Sequence, residues 1–177
     1  MTIKSLLIVK AIRFAERKHR GQKRKVSGED YITHPILVSY LVSKFKNSKN
    51  LELLICASIL HDTLEDTKTT FNELVRIFGI EVASLVNGLT SDKDQIKSVG
   101  KAEYLKIHMS GLSNYALFLK LCDRLANLMD SPSEKQLRET REILSYLQSK
   151  RRLTQSQLAV IAEIQNILLS QAQENKY

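Results

Sequence analysis

His61 and Asp62 stand side by side at the end of LELLICASILHD (51–62), the most apolar stretch of the chain. An ionised group in apolar surroundings is costly unless it is paired or bound to metal. Glu65 and Asp66 follow three and four residues after Asp62. Acidic groups crowded this closely repel one another unless a cation lies among them. A second acidic position falls in KLCDRLANLMD (120–130), where Asp123 and Asn127 are four apart and share one helix face. Asp123 sits among Leu121, Cys122 and Leu125, a half-buried setting. Taken alone, it could equally be a surface carboxylate paired with Lys120 or Arg124. His34, in YITHP, heads another segment, and by itself is only a histidine at a helix start. Together, two histidines and two carboxylates from three separate segments make a mixed nitrogen and oxygen ligand group. Such a group suits Mn²⁺, Zn²⁺ or Fe²⁺ better than Ca²⁺. A metal of this kind acidifies bound water and polarises a phosphoryl oxygen, the chemistry of a metal-dependent phosphohydrolase.

The elements that must position these groups read as helices. Residues 3–19 carry an apolar stripe, and 20–33 (RGQKRKVSGEDYIT) form a polar loop. His34-Pro35 opens a helix to about residue 46, since proline is tolerated in a first turn. Residues 51–62 are apolar nearly all round, a buried central helix. Residues 63–70 read as a loop, with Thr69 or Thr70 capping the helix FNELVRIF, which Gly79 ends. A helix follows over 80–89, and the polar 90–98 reads as a loop. Further helices are expected at about 99–109, 114–129, 134–149 and 154–173, the last capped by Thr154. No alternating strand pattern and no linker stand out. The expectation is an all-α fold, with 1–177 as a single domain.

The chain has 177 residues, 43% hydrophobic and 26% charged, enough to bury a core without staples. Two isolated cysteines, Cys56 and Cys122, make no disulfide framework and read as buried thiols of a reducing, cytoplasmic compartment. The N-terminal apolar run reads as a first amphipathic helix rather than a signal peptide, and no stretch is long enough for a membrane span. The net charge of +8 is concentrated in residues 1–50, which hold twelve Lys and Arg against three Asp and Glu. By charge alone that segment suits a polyanion, whether nucleotide phosphates, nucleic acid or an acidic partner, and would equally serve as a solvated basic face. No aromatics interleave the basic run at 17–25, so nucleic acid is not the expected partner.

Four ordered segments carry a family resemblance: FAERKHRGQKRKVSGEDYITHP (14–35), ASILHDTLEDT (57–67), FGIEVASLVNGLT (78–90) and KLCDRLANL (120–128). The sequence resembles the HD-domain hydrolases of the RelA/SpoT type, which remove pyrophosphate from the 3′ position of the alarmone (p)ppGpp. With no nucleotidyltransferase domain following in this sequence, it is expected to resemble the stand-alone small alarmone hydrolases. By position, the resemblance implies that His34, His61, Asp62 and Asp123 bind the metal, usually Mn²⁺. Glu65 and Asp66 match the catalytic acidic pair. Arg24 and Lys25 match basic residues of the nucleotide site, and Asn127 a polar residue lining it. Ser27 and Tyr31 fall where the loop shapes the purine and ribose pocket, and Tyr146 matches a tyrosine that reaches the pocket in some small members. In EILSYL, Tyr146 would equally serve as a packing residue. The family often has SGEPY where this chain has SGEDY, so Asp30 replaces a stiffening proline with a charge. Two alternatives share parts of this pattern: a phosphatase of another nucleotide such as NADPH, and a non-enzymatic nucleotide-binding module. The complete set of ligands and acids argues against the second.

Overall fold

In the computed structural model, which describes residues 3–174, eleven helices carry the fold and no strand occurs among the described residues. Among the described residues, the only extended pairing is an isolated antiparallel bridge between Lys23 and Asp30. The all-α expectation therefore holds. The chain divides into two compact units, Met1–Thr90 and Ser91–Tyr177.

In the first unit, α1 (Ile3–Lys18) lays Ala11, Phe14 and Ala15 into the core. Phe14 meets the edge of Phe78 at 5.3 Å, and burial of such a ring is worth about 1.5–3 kcal/mol. Lys18 ties the same helix to Glu73 at 2.9 Å. α2 (Thr33–Phe45) begins one residue before His34, with Pro35 in its first turn, where the absent N–H would have had no intrahelical partner. α3 (Leu51–Leu60) is the buried centre, packed by α1, α2 and α6. It ends at Leu60, so His61 and Asp62 occupy the turn beyond it rather than its last residues.

The stretch read as a loop at 63–70 contains a short helix, α4 (Thr63–Asp66). Its chain direction is held by the Thr63 hydroxyl on the Leu60 carbonyl at 2.7 Å and by the Asp66 N–H on the Asp62 carbonyl at 2.9 Å. One turn is too short to leave a periodic signal. Thr70 then caps α5 (Phe71–Phe78), accepting from the Glu73 N–H at 3.2 Å. Gly79, at φ 86°, joins α5 directly to α6 (Ile80–Leu89), a left-handed conformation that favours glycine.

The second unit begins at Ser91. Residues 90–98, expected as a loop, contain α7 (Lys93–Val99). Asp92 caps it through the N–H groups of Asp94 and Gln95, both at 2.9 Å. None of its residues is buried, so caps rather than an apolar face define it, and periodicity cannot reveal it. α8 (Lys101–Gly111) follows, then α9 (Asn114–Leu128), most of whose side chains are buried. α10 (Glu134–Lys150) starts with a capping box of Ser133 and Gln136, and packs on α8. α11 (Gln155–Glu174) packs on α9 and is capped by Thr154 and Gln157, as expected. Arg151 pins the turn before α9, donating to the carbonyls of Ser110 and Leu112 at 3.1 and 2.7 Å.

Candidate metal centre

Within the first unit, His34, His61 and Asp62 come together from two helix boundaries. Both imidazoles are buried, and the Asp62 side chain is 14% exposed. The His61 Nδ1 lies 2.8 Å from the Ser58 carbonyl oxygen. A carbonyl only accepts, so Nδ1 carries the proton and Nε2 is the ligand-ready nitrogen. That Nε2 faces Asp62 Oδ2 at 2.8 Å. The His34 Nε2 stands 3.9 Å from the same oxygen, and the two rings are 5.3 Å apart. In the neutral ring with its proton on Nδ1 the His61 Nε2 is an acceptor, so it and the Asp62 oxygen meet as two acceptors. A positive centre is needed between them, supplied by an extra ring proton or by a metal ion. The donor set of two imidazoles and a carboxylate fits a divalent transition metal.

Around this cluster the loop between α1 and α2 folds back as a tight turn. Arg24 N–H donates to Glu29 O at 2.8 Å, Tyr31 N–H to Gln22 O at 3.0 Å, and Gly28 takes φ 72° at the bend. Asp30, the residue in the place of proline, pairs with Lys23 at 2.7 Å, which offsets its added charge. Tyr31, expected where the loop shapes the purine and ribose pocket, donates its hydroxyl to Asp62 Oδ2. Its ring lies 4.7 Å from the ring of the buried His19 and 5.9 Å from that of His34. The Arg24 guanidinium, half-buried, lies 6.0 Å from the Tyr31 ring centre. Lys25 and Ser27 are exposed, and Ser27 Oγ accepts from the Glu29 N–H. Glu65 is half-buried and Asp66 exposed, both in α4 immediately after Asp62.

Gln22 escaped the sequence reading. Its Oε1 meets His19 Nδ1 at 2.7 Å, and its Nε2 donates to the Asp66 carbonyl at 2.9 Å. One side chain thus fastens the basic loop to the segment that bears the acidic pair. Nothing in its neighbours in sequence marks it, because the partner lies 44 residues away.

In the second unit, Asp123 sits in the middle of α9 with 14% of its side chain exposed. Asn127, one turn on, donates to Asp123 Oδ1 at 2.7 Å, and Lys120, one turn back, reaches Oδ2 at 3.3 Å. The shared face expected of Asp123 and Asn127 is therefore present. The neighbouring Arg124 reaches α10. Its buried guanidinium donates to Thr140 Oγ1 at 2.9 Å, and burial pulls its pKa down against the opposing pull of Asp123 and Glu139. Tyr146 is half-buried on α10, with the Lys150 ammonium 5.7 Å from its ring centre.

Helix-end histidines meeting an aspartate in an all-helical frame define a metallohydrolase class with the HD signature, named for its histidine–aspartate pair. The chain belongs to the HD-domain family, whose model, described as HD domain, matches residues 11–154. It is 40% identical over 125 residues to the guanosine-3′,5′-bis(diphosphate) 3′-pyrophosphohydrolase MESH1 of Danio rerio, covering 70% of this chain and 68% of that protein. It is 39% identical over 153 residues to the guanosine-3′,5′-bis(diphosphate) 3′-pyrophosphohydrolase of Spiroplasma citri, but covers only 19% of that longer protein. The fold resembles that of a metazoan ortholog of SpoT that hydrolyses ppGpp, with a TM-score of 0.78 over 97% of this chain and 98% of the other, at 24% identity.

Proposed function

We propose that this chain removes pyrophosphate from the 3′ position of (p)ppGpp, giving GDP or GTP. The observation that carries the reading is the meeting of the His34 and His61 nitrogens on the Asp62 carboxylate at the end of buried α3. Identity with a relative named for this activity, over two thirds of that relative, supports the substrate. His34, His61, Asp62 and Asp123 would hold the metal, with Mn²⁺ as the first choice. Asp123 is assigned on its motif and on its half-buried, helix-fixed carboxylate. When bound, the metal acidifies water and draws charge from the phosphoryl oxygen.

The remaining chemistry falls to the chain's own side chains. Glu65 or Asp66 takes the proton of the attacking water and returns one to the departing 3′ oxygen. Arg24 and Lys25 neutralise phosphate charge, the planar guanidinium offering two parallel donors. Ser27 borders the loop, Tyr31 supports it from the inner side, and Asn127 and Tyr146 face the nucleoside. The family match runs through the boundary at Thr90, which supports reading 1–177 as one hydrolase domain built of two compact units. No described helix is long and apolar enough to cross a membrane, and a cytoplasmic nucleotide enzyme accords with that.

Purified full-length protein with Mn²⁺ is expected to release pyrophosphate from ppGpp, to stop with excess EDTA, and to recover when Mn²⁺ is restored. Turnover of another nucleotide such as NADPH, with ppGpp untouched, would overturn the substrate and keep the metal chemistry. Binding of nucleotides with no turnover at all would overturn the enzyme reading.

A further inference from the structure

The structure assigns Tyr31 a task other than lining the nucleoside pocket: we infer that its hydroxyl is the positioning group for the metal ligand Asp62. The inference rests on the metal centre proposed above and deepens it. Asp62 lies outside regular helix, in the turn between α3 and α4, at φ −96° and ψ −1°. An aspartate in such a turn keeps rotamer freedom that a ligand must give up when metal binds. The Tyr31 hydroxyl removes that freedom by donating to Oδ2, the oxygen on which both histidine nitrogens converge. A carboxylate has about four lone-pair sites, so Oδ2 can accept from Tyr31 and still coordinate.

Tyr31 is itself fixed. Its backbone N–H is bonded to the Gln22 carbonyl, and its carbonyl accepts from the His34 N–H, each at 3.0 Å. The His19 ring lies against its face, and Gln22 braces His19. The hydroxyl is thus delivered from a rigid base rather than from a swinging loop side chain. Outer partners of this kind orient metal ligands, and their loss typically costs 10–100-fold in metal affinity or activity. Because the Arg24 guanidinium lies beside the same ring, the loop that would neutralise phosphate and the ligand that would hold metal share one support.

The test uses the whole chain, stripped of metal, with Mn²⁺ as the probe of affinity and diamagnetic Zn²⁺ for the tyrosine resonances. Tyr31→Phe keeps the ring and its tilted contact with His19 and deletes only the hydroxyl. Its Mn²⁺ affinity is expected to fall 10–100-fold, read by titration calorimetry or by the free-ion EPR signal. At saturating Mn²⁺ its KM for ppGpp should stay within about twofold of wild type, and kcat should recover as Mn²⁺ is raised. Unchanged Mn²⁺ affinity with a raised KM would overturn the inference and return the hydroxyl to the substrate. In wild-type chain carrying ¹³Cζ-tyrosine, one of the six tyrosine signals should shift when Zn²⁺ is added. No shift would overturn it independently of any variant. His61→Ala serves as the control for the underlying reading. If wild type bound Mn²⁺ no better than His61→Ala, the metal centre itself would fall, and this inference with it. Tight Mn²⁺ binding by wild type without ppGpp turnover would sink only the substrate assignment and leave the Tyr31 result decisive.

Discussion

Asp62 and Asp123, the two carboxylates of the proposed metal centre, are held in opposite ways. Asp123 is held by its own helix: Lys120 and Asn127 flank it at one turn on either side, in a stretch of α9 whose apolar face is buried. Asp62 stands at a helix junction and takes its donor from Tyr31, 31 residues earlier, across a loop. The first arrangement is built as soon as the helix forms. The second exists only when the loop of residues 19–31 has folded against α3 and α4. Local support is cheap to build and hard to disturb, whereas distant support connects a ligand to the part of the molecule that would meet substrate.

The largest effect comes from removing either carboxylate itself. Asp62→Ala and Asp123→Ala should each lower pyrophosphate release by about 10³-fold or more, equivalent to about 4 kcal/mol of transition-state stabilisation. The comparison predicts that they differ in how far the damage spreads. Asp62→Ala frees the Tyr31 hydroxyl and loosens the loop, so limited proteolysis should cut more readily around residues 20–31. Asp123→Ala leaves α9 intact and should leave that loop as resistant as in wild type. Equal protease sensitivity in the two variants would break the contrast.

The same contrast explains what could be read in advance. The all-α class was legible because apolar stripes recur at helical spacing and breakers are few. His61-Asp62 was legible because charge at the end of so apolar a segment requires a partner. The Asp123–Asn127 pair was legible because helix geometry alone places residues four apart on one face. α7 was hidden, since a helix held by Asp92 and Gly100 and burying nothing has no apolar period. The bonds of Tyr31 to Asp62 and of Gln22 to Asp66 were hidden too, because only tertiary folding brings those residues together. The resemblance assigned Tyr31 to the nucleoside pocket, and the hydroxyl proves to be engaged by a proposed ligand.

A smaller effect sharpens the contrast from the helical side. Asn127→Ala removes the donor to Asp123 Oδ1 but leaves Lys120 on Oδ2 and the helix unchanged. One lost hydrogen bond to a charged group with a second cationic partner in place should cost about 1 kcal/mol, or about fivefold in Mn²⁺ affinity. That is less than the loss expected for Tyr31→Phe, measured in the same titration. A larger loss for Asn127→Ala than for Tyr31→Phe would reverse the ranking of local and distant support.

The smallest effect separates the two sides of the loop. Lys23 and Asp30 close its outer edge through an ion pair whose members are 59% and 70% exposed. Exposed pairs of this sort contribute at most about 1 kcal/mol, because water and salt screen them and two long side chains must be ordered to form them. Asp30→Ala should therefore lower Tm by no more than about 2–4 °C, and by less in high salt. Its Mn²⁺ affinity should match wild type, because the inner bonds of Gln22 and Tyr31 hold the loop without it. If Asp30→Ala weakened Mn²⁺ binding as much as Tyr31→Phe, the fixing of Asp62 would depend on the whole turn rather than on one hydroxyl. The distinction between a rigid inner anchor and a screened outer clasp would then be lost.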